Sequence, residues 1–327
     1  MSLRPVFNPS LYHGESKKGN FFEGWYFKLI DRERKRSCAV IPGVSLAGKA
    51  EKPHAFIQFL FGKEMRSDNF IYDFDRFRYD KKRFDLHLGG SRFSSESISL
   101  DLASPENRIR GEVRFLESFK WPSSLLSPGI MGPFTFVPFM ECYHGVVSMD
   151  HLLEGQLEVN GQRWDFTGGR GYIEKDWGRS FPQAWIWMQS NSFSEPGVSF
   201  MLSVARIPWL GRSFTGFLCG LLRDGELLRF TTYKMARIRT VEVSSDAVRV
   251  EIAMSRFLLK VFARRTGGAS LLSPVRGSMR GRINETLTSE ISIELYENGR
   301  PVFKDTGSDA GLEVVGELKV PGGGIRT

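Results

Sequence analysis

The stretch Leu157-Glu158-Val159-Asn160-Gly161-Gln162-Arg163-Trp164-Asp165-Phe166 decides the fold. Apolar residues at 157 and 159 alternate with polar ones, an Asn-Gly pair interrupts, and the alternation resumes at 164 and 166. Side chains of an extended chain point to its two faces in turn, so a period of two marks a half-buried strand. Asn-Gly accepts the positive φ angles of a two-residue hairpin turn. The segment therefore predicts a β-hairpin. Ile293 and Leu295, then Asn298-Gly299, then Val302 repeat the pattern, and Arg223-Asp224-Gly225-Glu226 is a third turn of the same kind. Ile98, Leu100 and Leu102 alternate, as do Ile109, Gly111, Val113 and Phe115, and Val248, Val250 and Ile252. His54 to Phe61 is apolar on both faces and reads as a fully buried strand. No stretch carries a convincing amphipathic helix. Short strands divided by turns, over 327 residues, predict an all-β protein, a barrel or a sandwich.

Composition narrows the function classes. Hydrophobic residues make up 41% of the chain and aromatic residues 13%, with 27 Phe and 7 Trp, which suits sheet cores or apolar ligand cavities. The net charge of +8 permits contact with an anionic membrane or nucleic acid. The charge is dispersed, however: Arg32-Glu33-Arg34-Lys35-Arg36 and Asp80-Lys81-Lys82-Arg83 read as solvated turns, and no nucleic-acid-binding motif appears. Cys38, Cys142 and Cys219 are three widely spaced cysteines without a disulfide framework, which fits a reducing compartment. Met1-Ser2-Leu3-Arg4-Pro5 carries no apolar signal, and no apolar run reaches the ~18–20 residues that span a bilayer. The expectation is a cytoplasmic protein whose basic surface allows peripheral membrane contact.

Residues 121–139 break the strand pattern. Four prolines (122, 128, 133 and 138) with Gly129 and Gly132 exclude a continuous strand, while Leu125, Leu126, Ile130, Met131, Phe134, Phe136 and Phe139 make the segment unlike a solvated linker. It reads either as an apolar flap or as a connector. Phe21-Phe22-Glu23-Gly24-Trp25-Tyr26-Phe27 is echoed by Phe181-Pro182-Gln183-Ala184-Trp185-Ile186-Trp187. The echo favours two similar β domains, expected at residues 1–169 and 170–327.

Three constellations carry candidate chemistry. In the first, Glu23, Trp25, Phe27 and Leu29 share one face of a strand. Desolvation would raise the pKa of such a carboxyl and make it an acid; the plainer reading pairs Glu23 with an arginine. In the second, Tyr172, Glu174 and Asp176 share parity, and Trp177, Trp185 and Trp187 follow. Two neighbouring carboxylates resist joint ionisation, so one is suited to hold a proton. Aromatic faces stabilise a cation. Acid beside aromatic rings is equipment for protonating an alkene, although a turn with Asp176 on backbone amides and core tryptophans would look the same. In the third, Glu141, Cys142, Tyr143 and His144 precede Asp150 and His151 without matching a standard zinc spacing. His144 reads better as a buried hydrogen-bonded residue or a proton relay than as a metal ligand. Gly168-Gly169-Arg170-Gly171 is no dinucleotide loop, and no GxSxG elbow appears.

At FFEGWYFK (Phe21 to Lys28), SPGIMGPFTFVPFMECYHGVVSMDH (Ser127 to His151), GRGYIEKDWGRSFPQAWIWMQSN (Gly169 to Asn191) and GLEVVG (Gly311 to Gly316) the sequence resembles the tocopherol cyclase family. The resemblance implies a calycin-type architecture, two lipocalin-like antiparallel β-barrels or half-barrels packed together, and kinship with carotenoid hydratase. It implies acid-catalysed ring closure of a prenylated quinol, without a redox cofactor or a metal. Carried onto this chain, it makes Asp176 the first candidate for general acid, then Glu174 or Glu23. Trp25, Trp177, Trp185 and Trp187 would line the cavity, Tyr172 would bind substrate there as well, and Tyr143 and His144 would bind quinol hydroxyls. The partner implied is a prenylated quinol or another isoprenoid lipid. Two other functions stay open: a lipid carrier that uses the same cavity without turnover, and a structural or membrane-surface protein whose barrels are filled by side chains.

Overall fold

A computed structural model describes residues 4–47, 51–138, 140–209 and 212–318, with the side chains of Arg4 and Trp209 left aside. Phe139, named above in the proline-rich segment, lies outside the described residues. Among the described residues the chain is all-β, with one short helix (Arg4–Phe7) and four 3-10 turns. It divides into two compact units: the described residues up to Phe181 together with Ser270–Ile283, and the described residues of Pro182–Ala269 with Asn284 onward.

The first sheet is built from β1 (Phe21–Ile30), β2 (Ser37–Leu46), β3 (His54–Phe61), β4 (Arg66–Asp73), β5 (Phe77–Tyr79), β6 (Asp85–Leu88), β7 (Ser91–Ser94), β8 (Ser97–Ala103), β9 (Arg108–Phe119), β10 (Cys142–Val159), β11 (Gln162–Asp165) and β12 (Arg170–Gly178). Their order is 4-3-2-1-12-10-9-8-7-6-5, with β11 on β10. The second sheet is built from β13 (Trp185–Ser190), β14 (Ser199–Trp209), β15 (Arg212–Arg223), β16 (Glu226–Thr231), β17 (Arg237–Val243), β18 (Ala247–Met254), β19 (Phe257–Arg264), β20 (Ala269–Val275), β21 (Ser278–Glu297) and β22 (Arg300–Val315). Its order is 16-15-14-13-22-21-19-18-17, with β20 on β21. Both sheets share one winding: the first four strands form a meander, and the last strand closes beside the first. This is the expected lipocalin-like pair of antiparallel β structures.

The hairpin turns lie where the dipeptides put them. Asn160 and Gly161 take φ of 53° and 80°, Asp224 and Gly225 52° and 73°, Asn298 and Gly299 50° and 78°. Each unit wraps its own core. In the first, Trp25, Phe27 and Leu29 of β1 point inward, and Phe27 meets Phe84, Phe93 and Phe115 at ring-centroid distances of 5.6–6.0 Å. This interior is packed with side chains. In the second, Ile186 and Met188 of β13 face a core with Phe200, Phe230 and Val250.

The unit boundary differs from the sequence expectation of 169/170. β12 (Arg170–Gly178) pairs with β1 and β10 in the first sheet, so the first unit runs on through Phe181. The echoed segments do occupy matching places, since β1 and β13 each sit between the outgoing meander and the closing strand. They are one residue out of phase. Trp25 is a core residue, whereas in β13 the core takes Ile186 and Met188, which puts Trp185 and Trp187 on the other face.

Candidate functional site

β10 and β12 run antiparallel, with His144 opposite Asp176 and Val146 opposite Glu174. Ile173 and Trp177 of β12 belong to the core of the first unit. Alternation therefore sends Tyr172, Glu174 and Asp176 to the opposite face, where His144 joins them. His144 Nδ1 lies 2.9 Å from Asp176 Oδ1. His144 Nε2 lies 3.6 Å from Glu174 Oε2, too far for a hydrogen bond, and has no other partner. The Tyr172 hydroxyl donates to Glu174 Oε2 at 2.7 Å. The Cys142 thiol reaches Asp176 Oδ1 at 3.8 Å. Glu174 is buried, and the Asp176 side chain is 27% exposed.

Burial by itself would lower the pKa of His144, but the carboxylates of Asp176 and Glu174 more than offset it and raise the pKa to about 9. At neutral pH the ring is an imidazolium clamped between two acids. The Tyr172 phenol is pushed well up by burial and by Glu174, so it stays a donor. Ligand-type atoms of His144, Glu174 and Asp176 lie within 4.8 Å of one another and are the group among the described residues that could hold a metal ion. An ion would have to displace the proton that both carboxylates stabilise on His144.

The proline-rich segment reaches this site. The His144 amide lies 3.2 Å from Met131 Sδ, and the Tyr143 hydroxyl donates to the Val137 carbonyl at 2.7 Å. Ile130 and Met131 are buried, but Leu125, Leu126 and Phe136 are exposed, so the segment is a cover only in part.

The remaining candidates are dispersed. Glu23 is fully buried in the core of the first unit, paired with Lys175 and with His13 Nδ1 at 3.1 Å. The His13 amide donates to both of its oxygens at 2.9 Å. The acid expected at Glu23 is therefore corrected: burial pushes its pKa up, but the Lys175 ammonium and His13 outweigh this and hold it below the usual range. Lys175 Nζ stands 4.5 Å from the Trp25 ring and 5.0 Å from the Trp177 ring, and His13 stacks on Trp177 at 4.2 Å. Trp25 and Trp177 thus surround a buried ammonium, on the far side of the sheet from Asp176. Tyr143 stacks on Trp177 at 5.7 Å and shares that side, apart from His144. Trp185 and Trp187 belong to the second unit, where Trp185 Nε1 donates to Glu313 at 2.7 Å.

Sequence reasoning missed Lys175, His13, Tyr26 and Lys28. Tyr26 and Lys28 stand opposite Glu174 and Tyr172 on β1, and both are buried. Their parity within FFEGWYFK was legible; the β1–β12 pairing that brings them to this face was not.

Comparison with known proteins places the site in context. Residues 118–316 match the family model described as tocopherol cyclase-like. The match contains His144, Tyr172, Glu174 and Asp176, and leaves out Phe21 to Lys28. A probable chloroplastic tocopherol cyclase of Oryza sativa subsp. japonica is 25% identical over 196 residues, and the chloroplastic tocopherol cyclase of Zea mays is 30% identical over 198. Each alignment covers 55% of this chain and 40% of the relative, so the chain spans about two-fifths of the curated relatives it matches. The crystal structure of kievitone hydratase from Nectria haematococca superposes with a TM-score of 0.51 at 10% identity, covering 95% of this chain and 94% of that one, a likeness of fold. With the family model matched over more than half of its length, the chain belongs to the tocopherol cyclase-like family.

Proposed function

We propose that this protein is an acid–base catalyst that cyclises or hydrates an isoprenoid lipid such as a prenylated quinol, with the proton supplied by the Asp176–His144–Glu174–Tyr172 relay. One observation carries the reading: His144 Nε2 faces Glu174 Oε2 at 3.6 Å with no other partner, while Nδ1 is tied to Asp176. Once that gap closes to hydrogen-bond distance in the substrate complex, the pair can share one proton. On the imidazole it makes a resting ion pair; on the carboxyl it makes a neutral acid. Glu174 then gives that proton to the less substituted carbon of a trisubstituted alkene, and a tertiary cation forms. The quinol oxygen attacks the cation and returns its proton to Glu174, so cyclisation is a net isomerisation. Water attacking instead gives the hydrated product.

Glu174 is favoured over Asp176 as the donor because it is the more buried of the two, where a neutral carboxyl is less disfavoured. Asp176 orients the ring. The names of the relatives support this chemistry class, since the plant proteins are tocopherol cyclases and the fungal one a hydratase. The test is incubation with a prenylated quinol and chromatographic search for a chromanol or a hydrated tail. Glu174→Gln should cut turnover by roughly 10²–10⁴-fold and leave binding of the lipid within a few-fold. A wild-type protein that binds the lipid and never converts it would make the chain a carrier instead.

A further inference from the structure

We propose that the Leu125-Leu126 turn inserts into an anionic phospholipid bilayer and docks the protein where its substrate resides. The proposal rests on the lipid-substrate reading above. Among the described residues these two are the most exposed large apolar side chains, at 78% and 82%. They are the central residues of a tight turn in which Ser124 and Ser127 exchange both backbone hydrogen bonds at 3.1 Å. Such positions ordinarily take Gly, Asn, Asp, Pro or Ser. Single exposed apolar residues need no explanation, but two adjacent leucines held at a turn tip place apolar surface in water without local benefit.

The rest of the segment supports a bilayer as the occupant. Residues 121–140 contain no charged residue, in a chain of which 25% is charged. Beneath the tip, Trp121, Ile130 and Met131 are buried, and Thr135 Oγ1 donates to the Pro128 carbonyl at 3.1 Å. The tip is thus braced by Pro122 and Pro128 on an anchored base. Phe136, half-exposed and 6.1 Å from the Phe7 ring, adds further apolar surface in the same segment. Lys120 is exposed at its edge, and the net charge of +8 favours an anionic surface. The prolines and the 3-10 turn at Gly132–Phe136 exclude a spanning helix, so this is interfacial insertion. Met131 and Val137 contact His144 and Tyr143, so one segment joins the inserted tip to the edge of the candidate site.

Sedimentation of the full chain with vesicles of phosphatidylcholine and phosphatidylglycerol tests this directly. The wild type should partition onto mixed vesicles more strongly than onto pure phosphatidylcholine. Leu125→Ser/Leu126→Ser should weaken partitioning on the order of tenfold or more, and Leu125→Phe/Leu126→Phe should restore it. Turnover of detergent-dispersed substrate should be unchanged in both variants. Equal sedimentation of the wild type and the serine variant overturns the proposal. So does a serine variant that loses only self-association on size-exclusion chromatography, which would make the leucines an interface between copies. Vesicle binding needs no turnover, and Glu174→Gln should sediment like the wild type, so failure of docking and failure of the catalytic reading are separable.

Discussion

His144 owes its charge to its neighbours. Burial alone would leave the ring neutral, yet Asp176 at 2.9 Å and Glu174 at 3.6 Å raise its pKa from 6.5 to about 9. A group whose pKa is raised on folding stabilises the fold fully below its unfolded pKa, and that contribution is lost as pH rises through the folded value. His144 therefore contributes below about pH 6.5 and ceases to do so through about pH 9. Lys175 works in the opposite sense and higher up: burial lowers its pKa from 10.5 to about 8, so stability is regained as pH climbs between those values. Between pH 6.5 and 8 the His144 slope stands largely alone. We expect the thermal midpoint of His144→Gln, followed by calorimetry at fixed ionic strength, to change less across that interval than the wild type; parallel curves would remove His144 from the account. Lys175 offers a second test. With Glu23 fully buried beside it, Lys175→Met leaves a carboxylate without its ammonium, at a cost of about 3–5 kcal/mol. Lys175→Met/Glu23→Gln should cost less than the sum of the single substitutions in urea titrations, because the second removes the stranded charge. Additive costs would mean that the pair does not act as a unit.

Two glycines separate what an element needs from its backbone and what it needs from its packing. Gly161 ends the β10–β11 turn at φ 80°, and a Cβ there would meet nothing within 4 Å. Gly161→Ala should cost about 1–2 kcal/mol through the left-handed backbone alone. Gly171 is different: a Cβ on β12 would stand 2.1 Å from His151 Nε2. His151 is held neutral, its pKa pushed down to about 3 by burial, with Nδ1 on Ser148 Oγ at 2.9 Å. Gly171→Ala should destabilise by about 1–3 kcal/mol by overpacking, and His151→Ala should recover part of that loss, whereas no second substitution helps Gly161→Ala. Equilibrium unfolding of the four variants checks the contrast. The turn belongs to the part of the fold that was legible in the sequence, because Asn-Gly states its dihedrals in two residues. The common face of Tyr172, Glu174 and Asp176 was legible for the same local reason. His144 joining them, Lys175 reaching Glu23 across β1 and β12, and the split of the tryptophans between faces and units depend on which strands pair and in what phase. No window of ten residues records that.

At the scale of the whole molecule, the chain returns to the first unit after building β13–β19 of the second, and this return was not readable because nothing local in Ser270–Ile283 marks which sheet it serves. The returning segment completes hydrogen bonding on the first sheet. Gln58, buried in β3, donates to the Leu272 carbonyl at 3.1 Å and accepts from the Leu272 amide at 2.8 Å. Ser45, buried in β2, donates to the Gly277 carbonyl at 2.6 Å, and the Gly277 amide donates to Arg179 at 2.6 Å. Ser67 of β4 donates to the Ser270 carbonyl at 2.7 Å. Three buried or half-buried side chains thus wait on residues more than two hundred positions later in the chain. Replacing Ser270–Ile283 by a short turn in the full chain bares them, at about 1 kcal/mol for each bond lost, and uncovers the face of β2 and β3. Amide exchange should then accelerate across Ser37–Phe61 by one to two orders of magnitude, while Val248–Ile252, in the core of the second unit, keeps its protection. Gln58→Ala in the intact chain should reproduce only a fraction of the effect, because the other contacts persist. Unchanged exchange in the replacement would mean that the first unit is complete by Phe181 and that the hairpin adds nothing to it; equal loss in both units would mean that the two cores unfold as one.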